Sequence, residues 1–220
     1  RTDEPDPVAA ALACEAAGAD GITAHLREDR RHMQDADIER LAARCRTPFN
    51  LEMACSEEML TIAERLRPAQ VTLVPEKREE ITTEGGLDVA KASDALQPAI
   101  ARLAAAGIRT ALFVDPVPMI IERSAWLGAH AIELHTGTYA HHPHDPRPLD
   151  ALRTGARQAA GLGLKVHAGH GLTVRNVAPI AAIPEIEELN IGHTIVSMAI
   201  LTGIAQAVRD MRQVMDAARR

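Results

Sequence analysis

The sequence predicts an α/β fold, a (β/α)8 barrel formed by a single domain over residues 1–220, and three observations predict it. Apolar runs rich in Val, Ile and Leu alternate with Ala-rich amphipathic stretches, the pattern of repeated βα units rather than of segregated strands and helices. A glycine recurs between a helix and the following strand, at Gly18, Gly107, Gly128 and Gly163, where a residue without Cβ closes a helix in the left-handed conformation. The chain is 46% hydrophobic but only 2% aromatic, so its core has to be built from Ala, Val, Ile and Leu, the residues that fill parallel sheets covered by helices.

In order, a helix over residues 7–17 ends at Gly18 and leads into a strand over 21–27. Helix 35–44 precedes strand 49–54, and helix 56–65 precedes strand 70–75. A long loop over 76–91 then leads to helix 93–106, closed by Gly107, and strand 110–115. Helix 119–127, closed by Gly128, feeds strand 131–136; an irregular stretch over 139–148 follows. Helix 148–161 and Gly163 precede strand 165–169, then come helix 173–182, strand 188–192 and a final helix over 195–218. Seven strands and eight helices, with a helix first, make an eight-fold barrel whose first strand lies upstream of residue 1. About 20 further residues are therefore expected there, one strand plus its loop, fitting between the first and last strands of this chain. A doubly wound sheet would carry a Gly-rich fingerprint after its first strand, and no GxGxxG is present.

Charge and cysteine usage narrow the class. A formal charge of -6 argues against a nucleic-acid partner, whose phosphates need a basic face, so any anionic substrate must be met locally. Cys14, Cys45 and Cys55 are odd in number and show no CxxC spacing, which fits a reducing cytoplasm rather than a disulfide framework or zinc ribbon. With no apolar run of about 18 residues and no charged-then-apolar leader, neither a membrane span nor a signal peptide is expected.

In a barrel the active site forms at the C-terminal ends of the strands, and polar residues accumulate there. The strand ends deliver His25 and Arg27, Glu52, Glu76 and Lys77, Asp115, Glu133 and His135, His170 and His193. His25 and Arg27, two residues apart on an extended strand, share a face; Arg27 can fork onto a phosphate while His25 serves as acid or base. Glu52 stands between Leu51 and Met53, neighbours that desolvate a carboxylate and push its pKa up, so it needs a partner or a reaction. "VHAGHGLT" and "LNIGHT" each end a strand with Gly-His just before a helix, offering N–H groups for phosphate. The long loop carries Thr82, Thr83 and the Gly85-Gly86 pair, hydroxyl donors and a hinge for a lid. His141, His142 and His144 lack the spacing of a metal site, and no G-x-S-x-G marks a covalent hydrolase.

The phrases "PDPV", "GADGITAHLREDRRH", "NLEMA", "LVPEKR", "TTEGGLD", "IELHTG", "AGHGLT" and "ELNIGH" occur in an order that resembles the pyridoxine 5′-phosphate synthase family from Pro5 to the C-terminal helix. The resemblance implies a (β/α)8 barrel, assembled as an octamer built from dimers, that condenses 1-deoxy-D-xylulose 5-phosphate with 3-amino-2-oxopropyl phosphate. It implies no metal and no organic cofactor. By motif, His25 is similar to the family's first catalytic base, Glu52 to its second and His170 to its proton donor. Glu133 is similar to a carboxylate that stabilises the transition state. Arg27, His32 and Thr82 resemble the residues holding the deoxyxylulose phosphate, and Gly171, Gly192 and His193 those holding the aminoketone phosphate. The family's first strand, with an Asn and an Asp-His pair that touch both substrates, falls before residue 1. Two other readings stay open. A phosphosugar isomerase or aldolase would share the phosphate cradles, but would use a Schiff-base lysine, and Lys165 begins its strand at the wrong end. An inactive barrel would serve as a binding protein.

Overall fold

Each βα unit in the computed structural model, which describes residues 4–76, 85–142 and 144–220, starts from local signals in the chain. In α1 (Pro7–Ala16) the Asp6 carboxylate accepts from the Val8 N–H at 3.1 Å and Pro7 takes the first helical position, where its missing N–H costs nothing. The elements that follow are β1 (Ile22–His25), α2 (Asp35–Arg44), β2 (Phe49–Met53), α3 (Glu57–Leu66), β3 (Gln70–Leu73), α4 (Val89–Ala105) and β4 (Arg109–Val114). Then come α5 (Pro118–Trp126), β5 (Ala131–His135), α6 (Gly137–His141), α7 (Pro146–Gly161), β6 (Lys165–Gly169), α8 (Val177–Ala181), β7 (Ile186–Asn190), α9 (His193–Thr202) and α10 (Ile204–Ala218). The boundary glycines Gly18, Gly107, Gly128 and Gly163 have φ of +106°, +78°, +84° and +84°, the left-handed closure their recurrence predicts.

The seven strands form one parallel sheet in sequence order, β1 to β7, curled so that helices cover its outside. Strand alternation separates two layers. Leu51, Met53, Val71, Leu73, Leu112, Val114, Ile132, Leu134 and Val166 point outward and are buried beneath the helices. On the concave side lie polar residues, Asn50, Gln70, Thr72, Glu133, His135 and His167, all buried. The apolar layer holds the fold together and the polar layer holds the chemistry. Among the described residues β1 and β7 are the edges of the sheet, with no ladder between them.

The structure corrects several boundaries. The helix expected over 195–218 is two helices, because Gly203, at φ +79° and ψ 149°, turns the chain between α9 and α10. The helix expected from residue 173 starts only at Val177. There the Asn176 side chain competes with the helix: its Oδ1 accepts from the Thr173 N–H at 2.6 Å and its Nδ2 donates to the Gly171 carbonyl at 3.2 Å, holding residues 171–176 in a turn. Helix α4 begins four residues earlier than expected, since Asp88 caps it by accepting from the Lys91 N–H. The stretch over 139–148 contains the end of α6 and the start of α7.

Candidate active site

Because all seven strands run parallel, their C-terminal ends lie on one side of the sheet, and three groups of titratable side chains gather there and on the concave face just behind. At the ends of β1 and β2, and just past β3, His25 Nε2 lies 2.9 Å from Glu76 Oε1 and His25 Nδ1 lies 4.0 Å from Glu52 Oε2. His25 is thus set between two carboxylates with different environments. Burial pushes the Glu52 carboxyl up, and the nearby His25 only partly offsets it. Burial also works to raise Glu76, but it is outweighed by the hydrogen bonds from His25 and the Glu28 N–H and by the charges of His25 and Arg27, so Glu76 stays below the usual carboxylate range. Two residues beyond β1, Arg27 is buried, with its Nε 3.4 Å from Asp29 Oδ1. Its neighbours in the charge run, Glu28 and Asp29, are exposed, as is His32.

The second group centres on Glu133, in the middle of β5 and 2% exposed. Burial raises its carboxyl far above the ordinary value, and the charges of Glu52 and Glu188 raise it further; the hydrogen bond from Asn190 Nδ2, 2.8 Å from Oε2, pulls it back in part. The other carboxyl oxygen lies against β6, where a Cβ on Gly169 would come within 2.3 Å of Glu133 Oε1. Only glycine allows β6 this close to the buried acid.

The third group surrounds His170, just past β6. Its φ of +84° is unusual for a residue with a side chain and costs roughly 1–2 kcal/mol. The buried Thr136 hydroxyl opposes that cost: its Oγ1 is 2.6 Å from the Gly169 carbonyl and 2.5 Å from the His170 carbonyl. The His170 and His135 rings meet edge-on with centroids 5.0 Å apart, and His135 Nδ1 is 3.0 Å from Asp115 Oδ1. Burial depresses the His170 pKa, and the charges of His135, His141 and His193 depress it further. His170 therefore holds its proton less tightly than a free imidazole.

Of the two Gly-His turns, only one sits at a helix N-terminus. Gly192 is the N-cap of α9 and His193 its first residue, both exposed. Gly171, at φ +73°, opens the turn held by Asn176 and not a helix, so the first cradle is a loop rather than a helix end. Thr82 and Thr83 lie outside the described residues. Gly86, expected as part of a hinge, is a point of close approach: a Cβ there would come within 2.3 Å of the Asp115 N, and its own N–H donates to Asp115 Oδ2 at 3.3 Å. Among the described residues no three His, Cys, Asp or Glu side chains are arranged to hold a metal ion, and no helix is long and apolar enough to cross a membrane.

Asn190, Thr23, Asn50 and Thr136 are polar contributors that sequence reading passed over. Each is a common, uncharged residue type. Thr23, Asn50 and Asn190 are marked only by the alternation of inward positions and Thr136 only by following His135 at the end of β5, and neither signal separates a structural side chain from one that holds a functional group.

The architecture is that of (β/α) barrels with a titratable rim. Among solved structures it is similar to 3-hexulose-6-phosphate synthase from Salmonella typhimurium (TM-score 0.72, 15% identity, covering 98% of this chain and 94% of that one). It is also similar to phosphoribosyl anthranilate isomerase from Thermus thermophilus (TM-score 0.62, 16% identity, 96% and 95% covered). At such identities the likeness defines the fold class alone. The family model described as "Pyridoxal phosphate biosynthesis protein PdxJ" matches residues 1–217, and the chain belongs to that family. Curated relatives called pyridoxine 5′-phosphate synthase are 56% identical over 218 residues in Synechococcus sp. and in Crocosphaera subtropica, each covering 98% of this chain and 91% of the relative.

Proposed function

We propose that the chain is a pyridoxine 5′-phosphate synthase, joining 1-deoxy-D-xylulose 5-phosphate to 3-amino-2-oxopropyl phosphate to give pyridoxine 5′-phosphate, inorganic phosphate and water. Family membership over residues 1–217 supports the reaction, and one observation supports the chemistry: burial moves the proton affinities of Glu52 and His170 in opposite directions, up and down, while His25 stands between the Glu52 and Glu76 carboxylates. The condensation needs a Schiff base between amine and ketone, eliminations of water and phosphate, and ring closure. Every step moves a proton.

In this reading His25 removes the first proton, and Glu76 orients it at 2.9 Å. Glu52, whose carboxyl burial raises above its ordinary value and so makes it a stronger base than a solvated carboxylate, is the second base. The depressed pKa of His170 suits it to give up a proton as the donor. Glu133, whose carboxyl burial raises well above its ordinary value, stabilises developing charge by hydrogen bonding. Arg27, His32 and Thr82 hold the deoxyxylulose phosphate. Gly171, Gly192 and His193 hold the aminoketone phosphate, with α9 supplying N–H groups from its N-terminus. Lys165, the lysine a Schiff-base aldolase would recruit, is at the opposite end of β6 and pairs with Glu187 at 2.8 Å. The substrates are the proposed partners, in a cytoplasmic homo-octamer built from dimers. Incubating the protein with both phosphates and assaying for pyridoxine 5′-phosphate tests the proposal; release of phosphate without that product would reject it.

A further inference from the structure

Four hydrogen bonds run in one direction across the concave face of the sheet and end on Glu133. Thr72 Oγ1 on β3 donates to Asn50 Oδ1 on β2 at 3.0 Å. Asn50 Nδ2 donates to Thr23 Oγ1 on β1 at 3.3 Å. Thr23 Oγ1 donates to Asn190 Oδ1 on β7 at 2.8 Å, and Asn190 Nδ2 donates to Glu133 Oε2 on β5 at 2.8 Å. Each bond fixes the next. With its oxygen taken by Thr72, Asn50 presents its nitrogen to Thr23; the Thr23 hydroxyl, having accepted, turns its hydrogen to Asn190; and Asn190, its oxygen engaged, has only N–H to offer Glu133. The third bond joins residues 167 apart in sequence, on the two edge strands that share no ladder.

The chain matters because of where it stops. Glu133 is buried, and one of its oxygens is occupied by a donor while the other lies beside Gly169, one residue before His170. A carboxyl that accepts an N–H on Oε2 is turned so that Oε1 is the oxygen it presents to other partners, whichever form it takes. We infer that Thr23 and Asn190 are positioning residues for the proposed synthase reaction, orienting the Glu133 carboxyl so that Oε2 is held by Asn190 and Oε1 is presented on the side of the His170 turn. This inference rests on the proposed function for its catalytic consequence but not for its structural one. Neither Thr23 nor Asn190 carries a charge or a transferable proton of its own, so their part is orientation.

Other titratable groups face Glu133 as well. Glu52 on β2 and Glu188 on β7 act on its ionisation, and His167 is its register partner on β6. A variant must therefore break the chain without altering any of these. Thr23→Val keeps the shape of the side chain, removes the hydroxyl, and changes an exposed residue whose hydroxyl bonds Asn190 and Asn50 rather than Glu133. Thr23→Ser restores the hydroxyl.

The experiment measures two quantities on the full chain: steady-state synthesis of pyridoxine 5′-phosphate, and the titration of Glu133 by carbon NMR with carboxyl-labelled glutamate. Thr23→Val is expected to lower kcat about tenfold, the weight of one oriented hydrogen bond, with KM for both phosphates within about twofold of the parent. The Glu133 midpoint should move upward, because the Asn190 N–H is no longer aimed at it, and Thr23→Ser should return both values. Asn190→Ala should shift the midpoint further in the same direction. A folded Thr23→Val protein with parental kcat and an unmoved Glu133 titration overturns the inference, as does an equal loss in Thr23→Ser. If the parent makes no pyridoxine 5′-phosphate, the functional proposal fails, and the Glu133 titration alone then decides whether the chain orients the acid.

Discussion

Glu52 and Glu133 are both carboxyls that burial holds above their ordinary value of 4.5, and the two are close enough to influence each other. Their consequences differ. Glu52 is 22% exposed and faces His25, so it is placed to exchange protons. Glu52→Gln keeps the shape but cannot accept a proton, and turnover is expected to fall at least about 10²-fold with folding intact. Near-parental turnover in a folded variant would make Glu52 a structural residue. Glu133 tests the electrostatics without an assay. A carboxyl whose folded pKa is raised contributes stability that is fully present below the unfolded value and is lost as pH rises through the folded value. Glu133→Gln removes that ionisation, so its unfolding midpoint should gain on the parent as pH rises from about 4.5. Thermal melts across pH check this; a constant gap between the two proteins would show that Glu133 is not a buried acid of this kind.

The elements show what could be read in the sequence and what could not. Strands β1 to β7 and the closing glycines were legible because alternation, apolar runs and left-handed closure are local signals. The break at Gly203 was not, since a lone glycine inside an apolar helical pattern is tolerated and gives no sign of which way it acts. Likewise the Asn176 turn arises from a side chain reaching back three and five residues, which no periodicity encodes. His25, Glu52 and His170 stood out because they end strands; the Thr23–Asn190 link did not, because its partners meet only through the curl of the sheet. The Asn176 turn carries its own prediction. Asn176→Ala removes both hydrogen bonds that shape residues 171–176, a loss on the order of 1 kcal/mol, and KM for the aminoketone phosphate should rise several-fold while the far-ultraviolet spectrum is unchanged. An unchanged KM would separate this turn from phosphate binding.

At the scale of the whole molecule, two surfaces bear on how the protein works. The seam between β1 and β7 leaves Thr23 and Glu188 exposed although both point to the concave side, so the interior is open there among the described residues. On α9, Val196, Ile200 and Leu201 are 61%, 83% and 79% exposed, which supports the proposed self-association. Light scattering should report an assembly of eight chains, and a monomer at micromolar concentration would reject it. In the proposed reaction the strand-end acids and bases act together in one condensation. The most direct test supplies the protein with 1-deoxy-D-xylulose 5-phosphate and 3-amino-2-oxopropyl phosphate and follows pyridoxine 5′-phosphate by mass spectrometry. Product is expected in step with released phosphate and none without either substrate; a folded protein that binds both phosphates and forms no product would show that these groups do not perform the condensation.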